Sequence, residues 1–251
     1  FGVEALLLAG MSIPARKVVE LHFCKMRYIL YGRGGLWHFF DLFRTKLDAY
    51  TAKKFDRFVV LTEEDKTDWG VGFNNISVIP NALTYYPDRA SALYDKTVSP
   101  RMPDWRLEIV GGGDPEYKSF LKQLADNMGV RDSITFKAPV KDIAAVYESS
   151  SIFVLTSRHE GFSMVLLESQ SYGIPAVSLA CKCGPRDIIE DGVNGFLVEV
   201  ENLDLFAERL ETLMHDEALR KAMGAKAREK SERFSEDGVM AKWDELFNGL
   251  K

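Results

Sequence analysis

The sequence predicts an α/β fold of two doubly wound units, each a parallel sheet with helices on both faces. Three observations carry this. Short β-branched or aromatic runs alternate along the 251 residues with longer segments of helical period. The strand-like runs are apolar throughout rather than alternating, as strands buried on both faces are. Between Pro80 and Thr97 lies a stretch with Pro87, Asp88 and several small or polar residues, the composition of a linker between two units.

Taken in order, the chain opens at Phe1 in a segment of helical character that leads to a strand at Val18–Phe23. Phe39–Tyr50 repeats apolar residues at helical spacing, and strands follow at Arg57–Leu61 and Ile76–Ile79. Beyond the linker come strands at Leu107–Val110, Ser133–Phe136, Ile152–Leu155, Ala176–Leu179 and Gly195–Val198, with helices at Lys118–Met128, Ser163–Ser171 and Leu203–Met214. In the last of these, Leu203, Phe206, Leu210, Leu213 and Met214 form one stripe. Ser235 is placed to cap a terminal helix carrying Met240, Trp243, Leu246 and Phe247. The first unit has fewer than 90 residues, whereas a doubly wound domain usually takes roughly 150. With no methionine at Phe1, that unit is expected to be incomplete.

A composition of 46% hydrophobic and 27% charged residues excludes disordered, collagenous and coiled-coil classes. No apolar run approaches the ~18 residues of a membrane-spanning helix, and no charged-then-apolar leader opens the chain. Cys24, Cys181 and Cys183 make no disulfide framework, and Cys181-x-Cys183 lacks a second ligand pair at zinc spacing, so a reducing cytoplasm without structural metal is expected. The net charge of -5 is unevenly spread: residues 1–60 carry ten Lys/Arg against five Asp/Glu, and the remainder 22 against 32. Either the basic part faces an anionic surface or phosphate, or the charge is only solvated.

The block Ser157-Arg-His-Glu-Gly-Phe-Ser163 follows one strand and opens a helix. A strand, a glycine-bearing turn and a helix start gather free backbone N–H groups and the positive end of a helix dipole at the carboxyl edge of a sheet, where a diphosphate binds well. Glu168, near the second turn, is placed to accept hydrogen bonds from adjacent ribose hydroxyls, and Glu160 lies nearer to whatever the phosphate carries. The plain alternative is that two glutamates eight residues apart are solvated surface.

The stretch Ile152–Glu168 and Gly173-Ile-Pro-Ala-Val177 resembles the donor domain of the retaining glycosyltransferases of family 4, whose glutamate-x7-glutamate motif is met by Glu160 and Glu168. Further matches are Val78-Ile-Pro-Asn81, Val110-Gly-Gly-Gly113, Gly184-Pro-Arg-Asp-Ile-Ile189 and Gly192-Val-Asn-Gly-Phe-Leu-Val198, and Cys-Lys-Cys-Gly-Pro-Arg-Asp resembles bacterial polysaccharide-assembly members. The resemblance implies a GT-B fold, two Rossmann-like domains facing across a cleft. Residues 1–87 would be a partial acceptor-binding domain and 88–235 the nucleotide-sugar donor domain, with 236–251 a helix packing back on the first. It also implies that Glu168 holds the ribose, that Glu160 lies beside the donor sugar, and that Gly161, Phe162 and Ser163 offer amides to the diphosphate or sugar. His22, in Val18-Val-Glu-Leu-His22, matches the family's histidine at the reacting centre, unless it is merely a satisfied strand-end histidine. Gly112, within Gly111–Gly113, either brings backbone close to the donor or only turns the chain.

The implied activity is transfer of a hexose from a nucleotide diphosphate sugar, a UDP-sugar by expectation, to a glycan or lipid-linked acceptor, with retention, no cofactor and no metal. No Asp-x-Asp motif is present. One departure stands out. The family's first donor-domain strand and its basic, phosphate-gripping loop have no counterpart, because Lys96 runs directly into Thr97; a segment is expected to be missing there. Aromatics including Trp37, interleaved with Lys25, Arg27 and Arg33, suit an anionic membrane interface and a peripheral position at the inner face of the plasma membrane. The competing view places Phe39, Phe40, Phe43 and Leu47 in a core. Nucleic acid is not expected as a partner. Rival readings are a non-catalytic nucleotide-sugar binding module and a GT-B-like UDP-sugar epimerase.

Overall fold

The computed structural model describes residues 3–25, 28, 35–70, 72–84 and 105–250. The first unit runs α1 (Val3–Gly10), β1 (Val18–Leu21), α2 (Leu36–Ala52), β2 (Arg57–Val60), α3 (Glu63–Trp69) and β3 (Ile76–Val78). Its three strands are parallel, with β2 in the middle and Val18 level with Arg57, Phe58 with Ile76. Phe58, Val59 and Val60 are fully buried, which is why this strand shows no alternation in the sequence. Phe58 and Val60 pack with Leu21, Ala52 and Trp69 on one face, while Val59 packs with Ile79, Val239 and Leu246 on the other.

The second unit continues with β4 (Leu107–Val110), α4 (Pro115–Asn127), β5 (Ile134–Lys137), α5 (Ala144–Glu148), β6 (Phe153–Leu155), α6 (Met164–Ser171), β7 (Ala176–Leu179), α7 (Pro185–Ile188) and β8 (Gly195–Val198). Three helices follow: α8 (Leu203–His215), α9 (Glu217–Ser231) and α10 (Glu236–Asn248). The strands are again parallel, in two sets, β4–β5 and β6–β7–β8. Asp114, Asn202, Asp216 and Ser235 cap α4, α8, α9 and α10 through their side chains. Val239 and Leu246 of α10 lie in the cluster against β2, and the Leu83 amide donates to the Phe234 carbonyl at 2.8 Å, so the chain's last helix is bound to its first sheet.

One expectation is overturned. Phe39, Phe40 and Phe43 are not core: Phe39 is 70% and Phe43 65% exposed, and Leu47 is only half-buried. The buried positions of α2 are Asp41, Asp48, Thr51 and Ala52. Among the described residues, Ala49 and Ala52 in the last turns pack into the sheet's core, whereas the stripe at helical spacing on the first turns is exposed. Among the described residues no helix is long and apolar enough to cross a membrane.

Candidate active site

The turn after β6 is held from two sides. On one, the Glu160 amide donates to the Lys182 carbonyl at 3.2 Å, beside a bridge between His159 and Lys182. On the other, Gly161 lies so close to β1's continuation that a Cβ there would stand 2.6 Å from the His22 carbonyl oxygen. Gly184, opening α7, faces Phe162 in the same way, with 2.5 Å between a would-be Cβ and the Phe162 carbonyl oxygen. Phe162 is buried edge-on against Phe234, ring centres 5.5 Å apart. The turn is therefore fixed by backbone approaches that only glycine allows.

Ser163 ends the turn in the left-handed region, φ 64° and ψ 60°, and starts α6 without a capping side-chain hydrogen bond. Its Oγ is buried and has no hydrogen-bond partner. A serine at a helix start normally turns its hydroxyl onto the first amides; this one leaves both hydroxyl and amides for another occupant. The first N–H groups of α6 have no partner within the helix and carry the positive end of its dipole.

Glu168 is half-buried one turn and a little further on, and accepts the Tyr147 hydroxyl at 2.8 Å through Oε2. Tyr147 also reaches the Val165 carbonyl at 3.4 Å and packs on Tyr172, ring centres 5.1 Å apart. Burial and the adjacent Glu168 carboxylate push the Tyr147 hydroxyl far above the ordinary tyrosine value, so it remains a proton donor. With one carboxylate oxygen fixed by Tyr147, Glu168 has its remaining acceptor capacity for a ligand. Glu160 is half-buried in the turn itself.

His22 is exposed, its Nε2 3.4 Å from Glu20 Oε2, and its main chain touches the turn at Gly161. The structure thus brings together His22, Glu160, Gly161, Phe162 and Ser163, with Glu168 on the helix that follows. Gly112 is exposed at the carboxyl end of β4, where a Cβ would meet Pro139 at an ordinary 3.5 Å, and no described contact links it to the turn. Gly111 and Gly113 on either side have φ of 152° and 133°, which fits the turning role. Trp37 is exposed on α2 with its ring 6.0 Å from Phe40. Lys25 is engaged elsewhere: its Nζ donates to the Asp68 carbonyl at 2.7 Å and lies over the Trp69 ring. Arg27 and Arg33 lie outside the described residues.

Sequence reasoning missed the contacts that bind the two units beside this site. Helix α3 meets the 182–187 loop through four of them. The Glu63 amide donates to Asp187 Oδ1 at 2.8 Å, and the Cys183 amide to Glu64 Oε2 at 2.8 Å. Lys182 Nζ pairs with Asp68 at 2.7 Å, and Arg186 lies 3.7 Å from Glu64. The hydrogen bond to Asp68 raises the Lys182 amine above its usual value. Cys183, at φ 63°, hydrogen-bonds Cys24 of the first unit. The available signal was Thr62-Glu-Glu-Asp65, a helix-capping residue followed by acids, with the Thr62 hydroxyl accepting from the Asp65 amide. Short and polar, α3 offers no apolar period to find.

Asp65 sits behind these contacts, buried, accepting from the Lys25 amide at 2.7 Å and from Trp69 Nε1 at 3.2 Å. Burial raises its carboxyl from 3.8 to about 6, with Asp68 adding to the rise and Lys25 and Trp69 opposing it. Because the folded value lies above the ordinary one, the native state binds the proton more tightly than the unfolded chain. The cost of ionising Asp65, on the order of 2 to 3 kcal/mol, is thus present in full above about pH 6, fades as pH falls from about 6 towards about 4, and is absent below that. Asp65→Asn is expected to flatten this part of the pH profile. Urea unfolding of both proteins at pH 4.5 and 7 checks it, and equal pH slopes would refute the assignment.

Three comparisons with known proteins bear on the site. Residues 81–230 match the family described as glycosyl transferases group 1. The chain belongs to that family. It is 32% identical over 213 aligned positions to an uncharacterized glycosyltransferase of Haemophilus influenzae, covering 75% of this chain and 60% of the relative's length. It is 26% identical over 276 positions to the amylovoran biosynthesis glycosyltransferase AmsD of Erwinia amylovora, covering 98% of this chain and 77% of AmsD. HepE of Anabaena, solved in complex with UDP and glucose, superposes with a TM-score of 0.71 at 18% identity, covering 92% of this chain and 71% of HepE. That likeness shows the fold, which is GT-B.

Proposed function

We propose that the chain is a retaining glycosyltransferase of family 4, moving a hexose from a UDP-sugar to a glycan or lipid-linked acceptor without cofactor or metal. The observation that carries this is the buried, partnerless Ser163 hydroxyl at the tip of α6, with Glu160 before it and Glu168 behind. The diphosphate takes the amides of Gly161, Phe162 and Ser163, the ribose takes Glu168, and Glu160 bonds a hydroxyl of the sugar. HepE's complex with UDP and glucose supports this ligand class. The anomeric bond to the diphosphate breaks through an oxocarbenium-like transition state. The leaving phosphate oxygen takes the acceptor proton on the same face, so the configuration is kept. Negative charge growing on that oxygen is what the helix tip stabilises, and His22, whose main chain abuts Gly161, lies where donor and acceptor meet.

The acceptor is membrane-borne in this reading, and the protein works at the cytoplasmic face of an anionic membrane. Trp37, Phe39, Phe40 and Phe43 project from α2, and Arg44, Lys46, Lys53 and Lys54 lie on or just after the same helix, the pairing of apolar and basic groups that suits anionic lipid.

The test is transfer from a panel of radiolabelled nucleotide sugars to lipid-linked acceptors in phosphatidylglycerol vesicles, compared with soluble glycans. The expected outcome is UDP-sugar-dependent labelling of the vesicle-borne acceptor, with His22→Ala sparing donor affinity while slowing transfer about 100-fold or more. Donor binding without transfer to any acceptor would sink the enzymatic reading and leave the nucleotide-sugar binding module. Alteration of the sugar with no acceptor present would point to an epimerase.

A further inference from the structure

We infer that Cys24 and Cys183 are a redox-sensitive pair, which a small external disulfide converts into one reversible cross-link between the two units. Three cysteines make no framework, but two of them meet: the Cys183 thiol hydrogen-bonds Cys24, although they belong to different units. Both are buried, Cys24 at 3% and Cys183 at 0% exposure. One helix presents them to each other. The Lys25 amide, next to Cys24, donates to Asp65 Oδ1 at 2.7 Å, and the Cys183 amide donates to Glu64 Oε2 at 2.8 Å. Glu64 and Asp65 are consecutive residues of α3, so both backbones are tied to the same turn. Fixed backbones with the side chains already in contact are what a disulfide requires, since the bond tolerates little misplacement of its two residues. Cys183 also keeps a left-handed φ of 63°, which is rare outside glycine and persists only where surrounding contacts dictate it.

The pair is unreactive while the units are in contact. The hydrogen bond with Cys24, burial, and the Asp65 and Glu64 carboxylates hold the Cys183 thiol well above its ordinary value, and the thiolate is the attacking species. Reaction therefore requires a local opening. Cys24 is the side that opens, because exposed Phe23 and half-buried Lys25 flank it. Its thiolate attacks one sulfur of the external disulfide, RSSR, and the departing RS⁻ takes up the proton that Cys24 lost. The Cys183 thiolate then attacks the Cys24 sulfur of this mixed disulfide, forming the Cys24–Cys183 bond and expelling the second RS⁻, which takes up the Cys183 proton. Two protein thiols are oxidised and RSSR is reduced to two RSH. In a reducing compartment such a bond is transient and acts as a sensor. What it locks follows from its neighbours. His22, two residues before Cys24, abuts Gly161, and Gly184, next to Cys183, abuts Phe162, so the bond closes around the turn that follows β6.

The inference rests on the sulfur pair and not on donor chemistry, so its test leaves nucleotide binding aside. The protein is incubated with glutathione disulfide, the remaining thiols are alkylated in denaturant, and unreduced peptides are mapped by mass spectrometry. The expected product is a monomer with a linked Cys24–Cys183 peptide and an alkylated Cys181, and dithiothreitol should restore all three thiols. Amide hydrogen exchange at Glu63 and Cys183, whose N–H groups bond across the units, should slow at least about tenfold on oxidation and recover on reduction. Cys181→Ser should keep the link and Cys24→Ser lose it. A linked peptide containing Cys181, a disulfide-bonded dimer, glutathione left on a single cysteine, or three free thiols after incubation would each overturn the pair. A link that leaves both amides exchanging as before would overturn the lock between the units. Mapping and exchange use the unaltered protein, so they decide even where a variant fails to fold.

Discussion

Gly184→Ala is expected to cost about 3 to 5 kcal/mol of folding stability, the sum of a strained backbone and a forced overlap. Gly184 has φ 126°, and a Cβ there would lie 2.5 Å from the Phe162 carbonyl oxygen and 2.7 Å from its carbon. Neither atom is the loose end of a side chain. Phe162 is buried against Phe234 and its carbonyl precedes the tip of α6, so relief requires moving the turn or the start of α7. Gly192→Ala is the control. It too has positive φ, 75°, but nothing lies within 4 Å of its would-be Cβ, so it carries only the backbone cost of about 1 kcal/mol. Urea unfolding of the two variants separates strain from overlap. Equal losses would mean that the approach to Phe162 is relieved elsewhere and that the turn is softer than its contacts imply.

The sequence disclosed those parts of the molecule whose burial is continuous. Ala176–Leu179 and Gly195–Val198 have the boundaries that their apolar runs predict, and β7, buried at every residue, is the clearest; Leu107–Val110 is bounded as predicted too, although three of its four residues are exposed. The turn at Glu160–Ser163 was legible because strand, glycine and helix start are local features. What lies between the units was not. Glu63, Glu64 and Asp68 reach Asp187, Cys183 and Lys182 across more than 100 residues, and no periodicity encodes a pairing of that range. Tyr147 was hidden for the same reason: its hydroxyl finds Glu168 from a five-residue helix with no stripe of its own. The α2 aromatics misled in the opposite sense. Their spacing fits a core, but spacing cannot tell whether a sheet extends beneath the helix, and here, among the described residues, it is the last turns that pack on it, through Ala49 and Ala52.

Glu168→Ala is expected to weaken UDP binding about 10- to 100-fold, the loss of charge-assisted hydrogen bonds to two ribose hydroxyls. The effect should be the same for UDP and for a UDP-sugar, since both carry the ribose. Glu160→Ala should differ in kind: it leaves UDP affinity nearly unchanged and weakens only the sugar-bearing ligand, because Glu160 belongs to the turn before the helix rather than to the helix itself. Tyr147→Phe keeps the carboxylate but frees it to rotate, and a loss of about 3- to 10-fold is expected, equal for the two ligands. A diphosphate of thymidine lacks the 2′-hydroxyl, so its affinity should respond to Glu168→Ala by roughly half the free energy seen with UDP. Isothermal titration with the three ligands resolves these patterns. UDP affinity within about twofold of the parent protein in Glu168→Ala, with folding intact, would remove the ribose from this helix and with it the placement of the donor along α6.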